Sequence, residues 1–554
     1  MNEDVPMGLG AGWREAFSRL SRGQVGLLIA LVVFWACVLR NVELPGLYMD
    51  AINPDYLVAR FFNPELQNPV WLIPGRPLPL LGNLYHGMQT LYVGVLTYGI
   101  MGMSVTSARV THAIFGAAIV LLLWLVLRRT TSRPALATAM AVALASDMAF
   151  LGSFRTQGYI ILAGQAWMML GFYLAVRSHT SELPSRAMLF LSGVCLGLAV
   201  YGYFVFLFFV PPVLALAVLG PGRDGMFARL MTWGLGFVFG MLPYVVGYVE
   251  LAVAVGGFEP FIEWMRNSLG GLKPTEGSAT YTEGVSSALL HTRLGLAGVG
   301  NELMMVNEQV SSRLVAWRAG LVATAALICA AGAWVEWRER ARLARVLLAG
   351  VALPVIYIAV AGWFGSRLWV HHFTVMVALG YLLLGLAVYW ISLRLPRGRW
   401  QVFVAVALLA ALFAVNIVQQ GRVHDRLVRT GGVGMSTDAL TAMSRAALTE
   451  KDRSVWFFPD WGFFMPFAFL TENRVPYENE FTEHTLGKYA ASMRDVRVAF
   501  WKKEDEGRHR ELLEQAGIID IELYRIDRRD GEPGIHVLTG RRALGTKATS
   551  TVEP

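Results

Sequence analysis

Gln24-Val25-Gly26-Leu27-Leu28-Ile29-Ala30-Leu31-Val32-Val33-Phe34-Trp35-Ala36-Cys37-Val38-Leu39 is an unbroken apolar run, preceded by Arg14, Arg19 and Arg22. It continues as Arg40-Asn41-Val42-Glu43. No small-residue cleavage site follows, so the run reads as a retained anchor with residues 1–23 on the cytoplasmic side. Similar runs recur through most of the chain. Of 554 residues, 55% are hydrophobic and only 16% charged, with mean hydropathy +0.47. Soluble domains carry about 25% charged residues, so the composition is that of a polytopic membrane protein.

A helical span needs about 20 apolar residues. The expected spans are 24–40, 105–127, 135–151, 158–176, 187–202, 204–219, 230–255, 319–335, 346–363, 371–392 and 400–418. The net charge of +8 does not call for nucleic acid, because basic residues punctuate the apolar runs. Arg128/Arg129/Arg133, Arg177/Arg186, Arg223/Arg229, Arg338/Arg340/Arg342/Arg345 and Arg394/Arg397/Arg399 all fall inside the cell only when 86–127 crosses the membrane once. Residues 86–103 are therefore expected to form a juxtamembrane or re-entrant helix, giving about eleven spans, with twelve or thirteen as the alternatives. Cys37, Cys195 and Cys329 all lie within apolar runs and imply neither a disulfide framework nor a metal site.

This topology leaves outer loops at 41–104, 256–318 and 364–370, and an outer tail from 419. The tail reads as a soluble α/β domain over 419–540. Helices are expected at 438–448 and 508–516, strands at 454–458 and 496–501, and a hairpin around Asp530-Gly531. Residues 541–554 read as disordered. The apolar spacing in 288–310 suits either a lid or a helix lying on the bilayer. Tail aromatics Trp456, Trp461, Phe463 and Phe464 suit carbohydrate stacking and core packing equally, and Trp71 and Tyr85 read as interface aromatics.

Chemistry concentrates in Tyr48-Met49-Asp50-Ala51-Ile52-Asn53-Pro54-Asp55-Tyr56, just past the first span. An acid at a membrane boundary costs free energy unless it is solvated, paired or used. Asp55 also suits the N-cap of a short helix over 56–62. Against the positive-inside pattern, Arg60, Arg76, Arg109, Arg155 and Arg367 lie toward the outer face, with His371-His372 after Arg367. Singly, each suits snorkelling or a nearby acid. As a set they suit an anionic ligand such as a lipid phosphate.

With Tyr85-His86-Gly87, Tyr92, Gly102-Met103-Ser104, Arg109 and Trp369-Val370-His371-His372-Phe373 in this order, the chain resembles bacterial membrane glycosyltransferases of the GT-C superfamily. That group includes protein O-mannosyltransferases and lipid A aminoarabinose transferases. Relatives usually show Asp-Glu in the first loop. Here Ala51 follows Asp50, and a second acid stands at Asp55.

The resemblance implies inverting transfer of a sugar from a polyprenyl-phosphate carrier to a glycan, lipid or protein acceptor. The reaction would lie on the extra-cytoplasmic face of a bacterial inner membrane. An inverting displacement needs one carboxylate base. Asp50 is the expected base and Asp55 the alternate. Arg155, Arg367, His371 and His372, then Arg76 and His86, are the expected phosphate partners. No cofactor is expected and a divalent metal is not indicated, since one carboxylate pair is a poor metal signature. A secondary transporter using Asp50 or Asp147, a lipid-linked polysaccharide polymerase or ligase, and a membrane scaffold are the competing readings.

Overall fold

The computed structural model describes residues 21–69, 78–181, 185–220, 225–270, 280–394, 399–489, 492 and 494–542. Arg76, Trp71 and the tail beyond 542 lie outside the described residues.

Among the described residues, seven helices are long and apolar enough to cross a bilayer, or eight if the bent pair Pro134–Ala145 and Met148–Arg155 counts as one span. Shorter apolar helices occupy three other expected spans, at Gly23–Leu39, Arg186–Gly202 and Phe204–Val218. The chain is thus a multi-pass membrane protein. The helix Gln89–Met101 has only 13 residues, about 20 Å at the usual helical rise, and leaves Leu96 and Ile100 exposed. That length is too short to cross, as expected for a juxtamembrane segment.

The basic clusters meet at one end of the helices. Arg129 Nε donates to Thr180 Oγ1 (2.8 Å), Arg133 Nη1 to Ser392 Oγ (2.5 Å) and Arg394 Nη2 to Glu336 Oε1 (2.5 Å). Two helices in this bundle approach at backbone distance. A Cβ on Gly193 would fall 2.1 Å from the Trp233 carbonyl oxygen, and one on Gly240 would fall 2.2 Å from that of Val194. Gly193/Gly197 on Arg186–Gly202 and Gly236/Gly240 on Met226–Ala254 form small-residue faces, the usual means of close helix packing in lipid.

Asp147 sits at the 56° bend of the broken helix. Its Oδ1 caps Met148–Leu151 by accepting from the Ala149 amide at 2.8 Å. Its Oδ2 accepts from Arg318 (2.5 Å) and Tyr381 (2.8 Å). Arg318 also donates to Asn416 and Gln419. This buried pair fastens the bend to two other helices. With both of its oxygens bonded, the Asp147 carboxylate is costly to change and poorly placed to cycle protons.

The last long helix, Arg399–Thr430, runs on past position 418, where the last span was expected to end, and carries the chain out of the bundle. Among the described residues, the sheet domain after it has five strands: β1 (Ser454–Phe457), β2 (Tyr477–Glu478), β3 (Asp495–Phe500), β4 (Ile518–Asp527) and β5 (Pro533–Arg542). Their order is β2-β1-β3-β5-β4. β1 runs parallel to β2 and β3, and β5 is antiparallel to β3 and β4. β4 and β5 are the expected hairpin. The two-residue β2 was too short to show in the sequence.

Trp456, Phe463 and Phe464 are buried in a core shared with Met49, Ile52 and Tyr56 of the first loop. They serve packing, and only Trp461 of the four aromatics is exposed. Asn68 Nδ2 donates to Asn473 Oδ1 (2.7 Å), Asn473 Nδ2 to the Asn63 carbonyl (2.8 Å), and Tyr477 to the Pro69 carbonyl (2.8 Å). The sheet domain is thereby fixed onto the first loop.

Candidate active site

Beyond the first span the chain turns through a 3-10 turn, Met49–Ala51. Met49 and Ala51 are buried while Asp50 between them is half-buried, so packing on either side aims the carboxylate outward. Tyr48 hydrogen-bonds Asp50, and Trp461 of the sheet domain hydrogen-bonds Tyr48. Burial raises the Asp50 carboxyl above the ordinary aspartate value, and the Tyr48 bond opposes this in part.

Two cavities meet at Asp50. One, of about 320 Å³, is lined by Tyr85, His86, Tyr203, Phe204, Phe364, Arg367 and His372 among others. The second, of about 1040 Å³, lies between the helices and the sheet domain, against Tyr48, Met304, Asn307, Arg426, Met435 and Arg528. Asp50, Gln157, Trp369 and His371 line both. The region 288–310 forms two helices, Tyr281–Ala297 and Val299–Val306. The second of them walls the larger cavity with Leu303, Met304 and Val306.

Asp55 is elsewhere. It is fully buried and lines neither cavity. Thr90 Oγ1 donates to its Oδ1 (2.5 Å), and Tyr98 (2.7 Å) and His112 Nε2 (3.0 Å) approach its Oδ2. Its side chain does not cap the helix Leu57–Phe62. Instead it ties that helix to Gln89–Met101 and Val105–Thr131, which carry its partners. His112 stacks on Tyr159 with ring centroids 3.7 Å apart, and the Tyr159 hydroxyl donates to the Asn53 carbonyl. A carboxylate enclosed by three donors has no open oxygen for an acceptor proton. Sequence spacing could not separate the two acids, because the distinction rests on which of them is enclosed.

Arg155 departs from expectation in the same way. Its guanidinium donates to the carbonyls of Asn41 (2.9 Å), Leu44 (2.5 Å), Val38 (3.0 Å) and Arg40. Those carbonyls lie at and beyond the C-terminal end of the first helix, where intrahelical partners run out and cations are favoured. Arg109 treats the Val42 and Pro45 carbonyls likewise. Neither lines either of these two cavities, and their donors are directed to the first loop.

Arg367, His371, His372 and His86 do converge on the smaller cavity. Arg367 Nη1 is buried with no hydrogen-bond partner among the described residues. An orphaned buried donor on a cation is costly unless a ligand satisfies it. His372 Nδ1 lies 3.2 Å from the Trp369 carbonyl, and its Nε2 lies 3.0 Å from the Tyr203 hydroxyl. His86 Nδ1 lies 3.2 Å from the Gly87 carbonyl. A carbonyl can only accept, so both rings carry their proton on Nδ1. Burial lowers the His86 imidazole to about 4. Neutral at pH 7, His86 presents an acceptor nitrogen and suits a hydroxyl better than a phosphate.

Residues 86–248 match the family described as dolichyl-phosphate-mannose-protein mannosyltransferase. In structure the chain is similar to ArnT from Cupriavidus metallidurans bound to undecaprenyl phosphate, with a TM-score of 0.57 and 14% identity. The match covers 93% of this chain and 97% of that one. The chain has the fold of ArnT, the GT-C fold. The same ArnT in the apo state matches with equal score and identity over 96% of this chain and 98% of that one. No curated protein matches by sequence. Within the GT-C fold of this chain, the family match spans the juxtamembrane helix, the Asp55 partners and Gln157, and stops short of the Arg367–His372 segment.

Gln157 was not expected from the sequence. A glutamine in a short polar loop carries no motif, and only its position at the junction of the cavities distinguishes it. Among the described residues no group of three or more His, Cys, Asp or Glu side chains is placed to hold a metal ion.

Proposed function

We propose that this protein is an inverting glycosyltransferase that moves a sugar from a polyprenyl-phosphate carrier to an acceptor on the extra-cytoplasmic face of a bacterial inner membrane. One observation carries the reading: Asp50, with its carboxyl raised, stands where two cavities of different character join. The smaller, with Arg367, His371 and aromatic walls, suits the phosphate and sugar of the donor. The larger, under the sheet domain, suits a glycan, lipid or protein acceptor. That ArnT binds undecaprenyl phosphate supports a carrier of this class.

In this reading the acceptor hydroxyl enters from the larger cavity and attacks the anomeric carbon. Asp50 takes the hydroxyl proton as the new C–O bond forms. The bond to the carrier phosphate breaks, and the phosphate leaves with the electron pair. Arg367 Nη1 and His371 meet the charge that grows on it. Such preorganised donors contribute most where charge develops, and a leaving phosphate needs no proton. A base whose pKa is raised toward the working pH is better matched to this task than an ordinary aspartate.

The cytoplasmic assignment of the basic end, and hence the outer placement of Asp50 and the sheet domain, follows the positive-inside rule. Against a transporter, Asp147 is held in its pair with Arg318, and Asp50 sits at a cavity junction near one face. The test is Asp50→Asn in membranes supplied with a polyprenyl-phosphate sugar. Transfer is expected to disappear while the protein remains monodisperse. Retained transfer, or solute transport without a glycosyl product, refutes the proposal.

A further inference from the structure

The segment that carries Gln157 is anchored on several sides. Arg155 clamps the carbonyls after the first span. Thr156 Oγ1 donates to Asn301 Oδ1 at 2.9 Å. Gly158 is packed on Ser153, where a Cβ would fall 2.9 Å from Ser153 Cβ. The facing segment is held as firmly. Thr374 Oγ1 donates to the His371 carbonyl (2.8 Å), and Tyr357 to that of His372 (2.7 Å). Between these two braced segments, Gln157 Nε2 lies 2.6 Å from His371 Nδ1.

An amide NH₂ can only donate, so at this contact His371 Nδ1 must accept, and the ring proton of the neutral imidazole then sits on Nε2. His371 Nε2 has no partner among the described residues, and the side chain lines both cavities. The adjacent His372, whose ring centroid is 4.0 Å away, is held in the opposite tautomer by the Trp369 carbonyl. Of the three histidines around the smaller cavity, His371 alone is then a neutral N–H donor toward it.

We infer that Gln157 is a positioning residue, which fixes His371 as the Nε2–H tautomer so that this N–H donates to an anionic oxygen of the donor's lipid phosphate. The inference rests on the proposed glycosyl transfer for the identity of the ligand, but the tautomer itself does not. Arg367 supplies charge, and His371 adds a neutral donor of fixed direction on the side shared with Asp50. A glutamine can impose this tautomer without charging the ring.

The first measurement is the ¹⁵N spectrum of histidine-labelled protein, with His371 assigned by its loss in His371→Gln. A protonated Nε2 and bare Nδ1 are expected, and the reverse overturns the inference. Gln157→Leu, which keeps the volume and removes the donor, should give a mixture of tautomers. It should also raise KM for a polyprenyl-phosphate sugar about 10-fold, the equivalent of one hydrogen bond, with a smaller effect on kcat. Gln157→Glu, whose carboxylate accepts from Nδ1–H, should shift the proton of the neutral ring to Nδ1 and leave Nε2 bare, so KM should be raised there too. A wild-type KM in Gln157→Glu with the ring neutral would mark a merely space-filling residue and overturn the inference. So would an unchanged KM in Gln157→Leu. If the wild type transfers no sugar, the proposed function fails while the tautomer is still read from the spectrum.

Discussion

Asp55→Ala, Asp55→Asn and Asp50→Asn together separate a structural acid from a chemical one. Removing the Asp55 carboxylate leaves the Thr90, Tyr98 and His112 donors facing an apolar gap. Each buried unpaired donor costs about 1–3 kcal/mol, and removing one partner of a buried pair costs about 3–5 kcal/mol. These figures overlap because the carboxylate's own desolvation is relieved, so Asp55→Ala should lose about 3–5 kcal/mol. Asparagine keeps one acceptor oxygen for Thr90 or Tyr98. Its NH₂ faces His112, whose ring can offer a bare nitrogen by changing tautomer. Asp55→Asn should then lose only about 1–2 kcal/mol. Asp50 is half-buried and bonded to Tyr48, so Asp50→Asn should cost about 1 kcal/mol or less.

The assay pairs thermal unfolding in detergent, followed by tryptophan fluorescence, with sugar transfer in membranes. Stability should fall in the order wild type, Asp50→Asn, Asp55→Asn, Asp55→Ala. Transfer should vanish in Asp50→Asn and persist in Asp55→Asn. A stable but inactive Asp55→Asn beside an active Asp50→Asn would refute the assignment and make Asp55 the base.

Replacing Arg155 by Met should lower the melting temperature and leave donor KM within about 2-fold in whatever protein remains folded, because its donors go to backbone carbonyls. A large rise in KM without destabilisation would return Arg155 to the phosphate. The pH–rate profile should show its acid limb above the ordinary aspartate value, since Asp50 must be ionised to act and burial raises its carboxyl. An acid limb at or below the ordinary aspartate value of 3.8 would contradict this. In the sheet domain, His509 is buried against Phe481 and Phe500, neither ring nitrogen has a hydrogen-bond partner among the described residues, and burial lowers its imidazole. The unfolded chain then binds more protons than the folded one just below pH 6.5. Sheet-domain stability should be full above that pH and fall as pH drops below it, toward the folded value. Hydrogen exchange should show this slope, and His509→Leu should flatten it.

Much of this molecule is legible in its sequence, for reasons that differ by element. Spans longer than about 20 residues announce themselves because lipid admits no alternative to a helix. Residues 204–219 and 24–40 were recognisable although the helices there are short, since their flanks carry the topology. The bend at Asp147 was not visible. It depends on Arg318, 171 positions away, and no local pattern encodes that partner. The β4–β5 hairpin follows from alternation and Asp530-Gly531, whereas β2 exists only because β1 offers it an edge.

The site divides along the same line. Sequence determined that this is a multi-pass chain with an acidic first loop, a late Arg-Leu-Trp-Val-His-His segment on the same side, and a soluble tail. Composition and charge asymmetry act through bulk partition between water and lipid, which needs no knowledge of contacts. Only the tertiary structure decided which acid faces a cavity, which arginines have donors to spare, and which nitrogen of each histidine bears the proton. Those properties belong to partners brought together from positions such as 55 with 112, 155 with 38, and 157 with 371. A carboxylate or guanidinium has the same chemistry in every sequence. Whether it is enclosed by its own chain or left open to a ligand is set by packing.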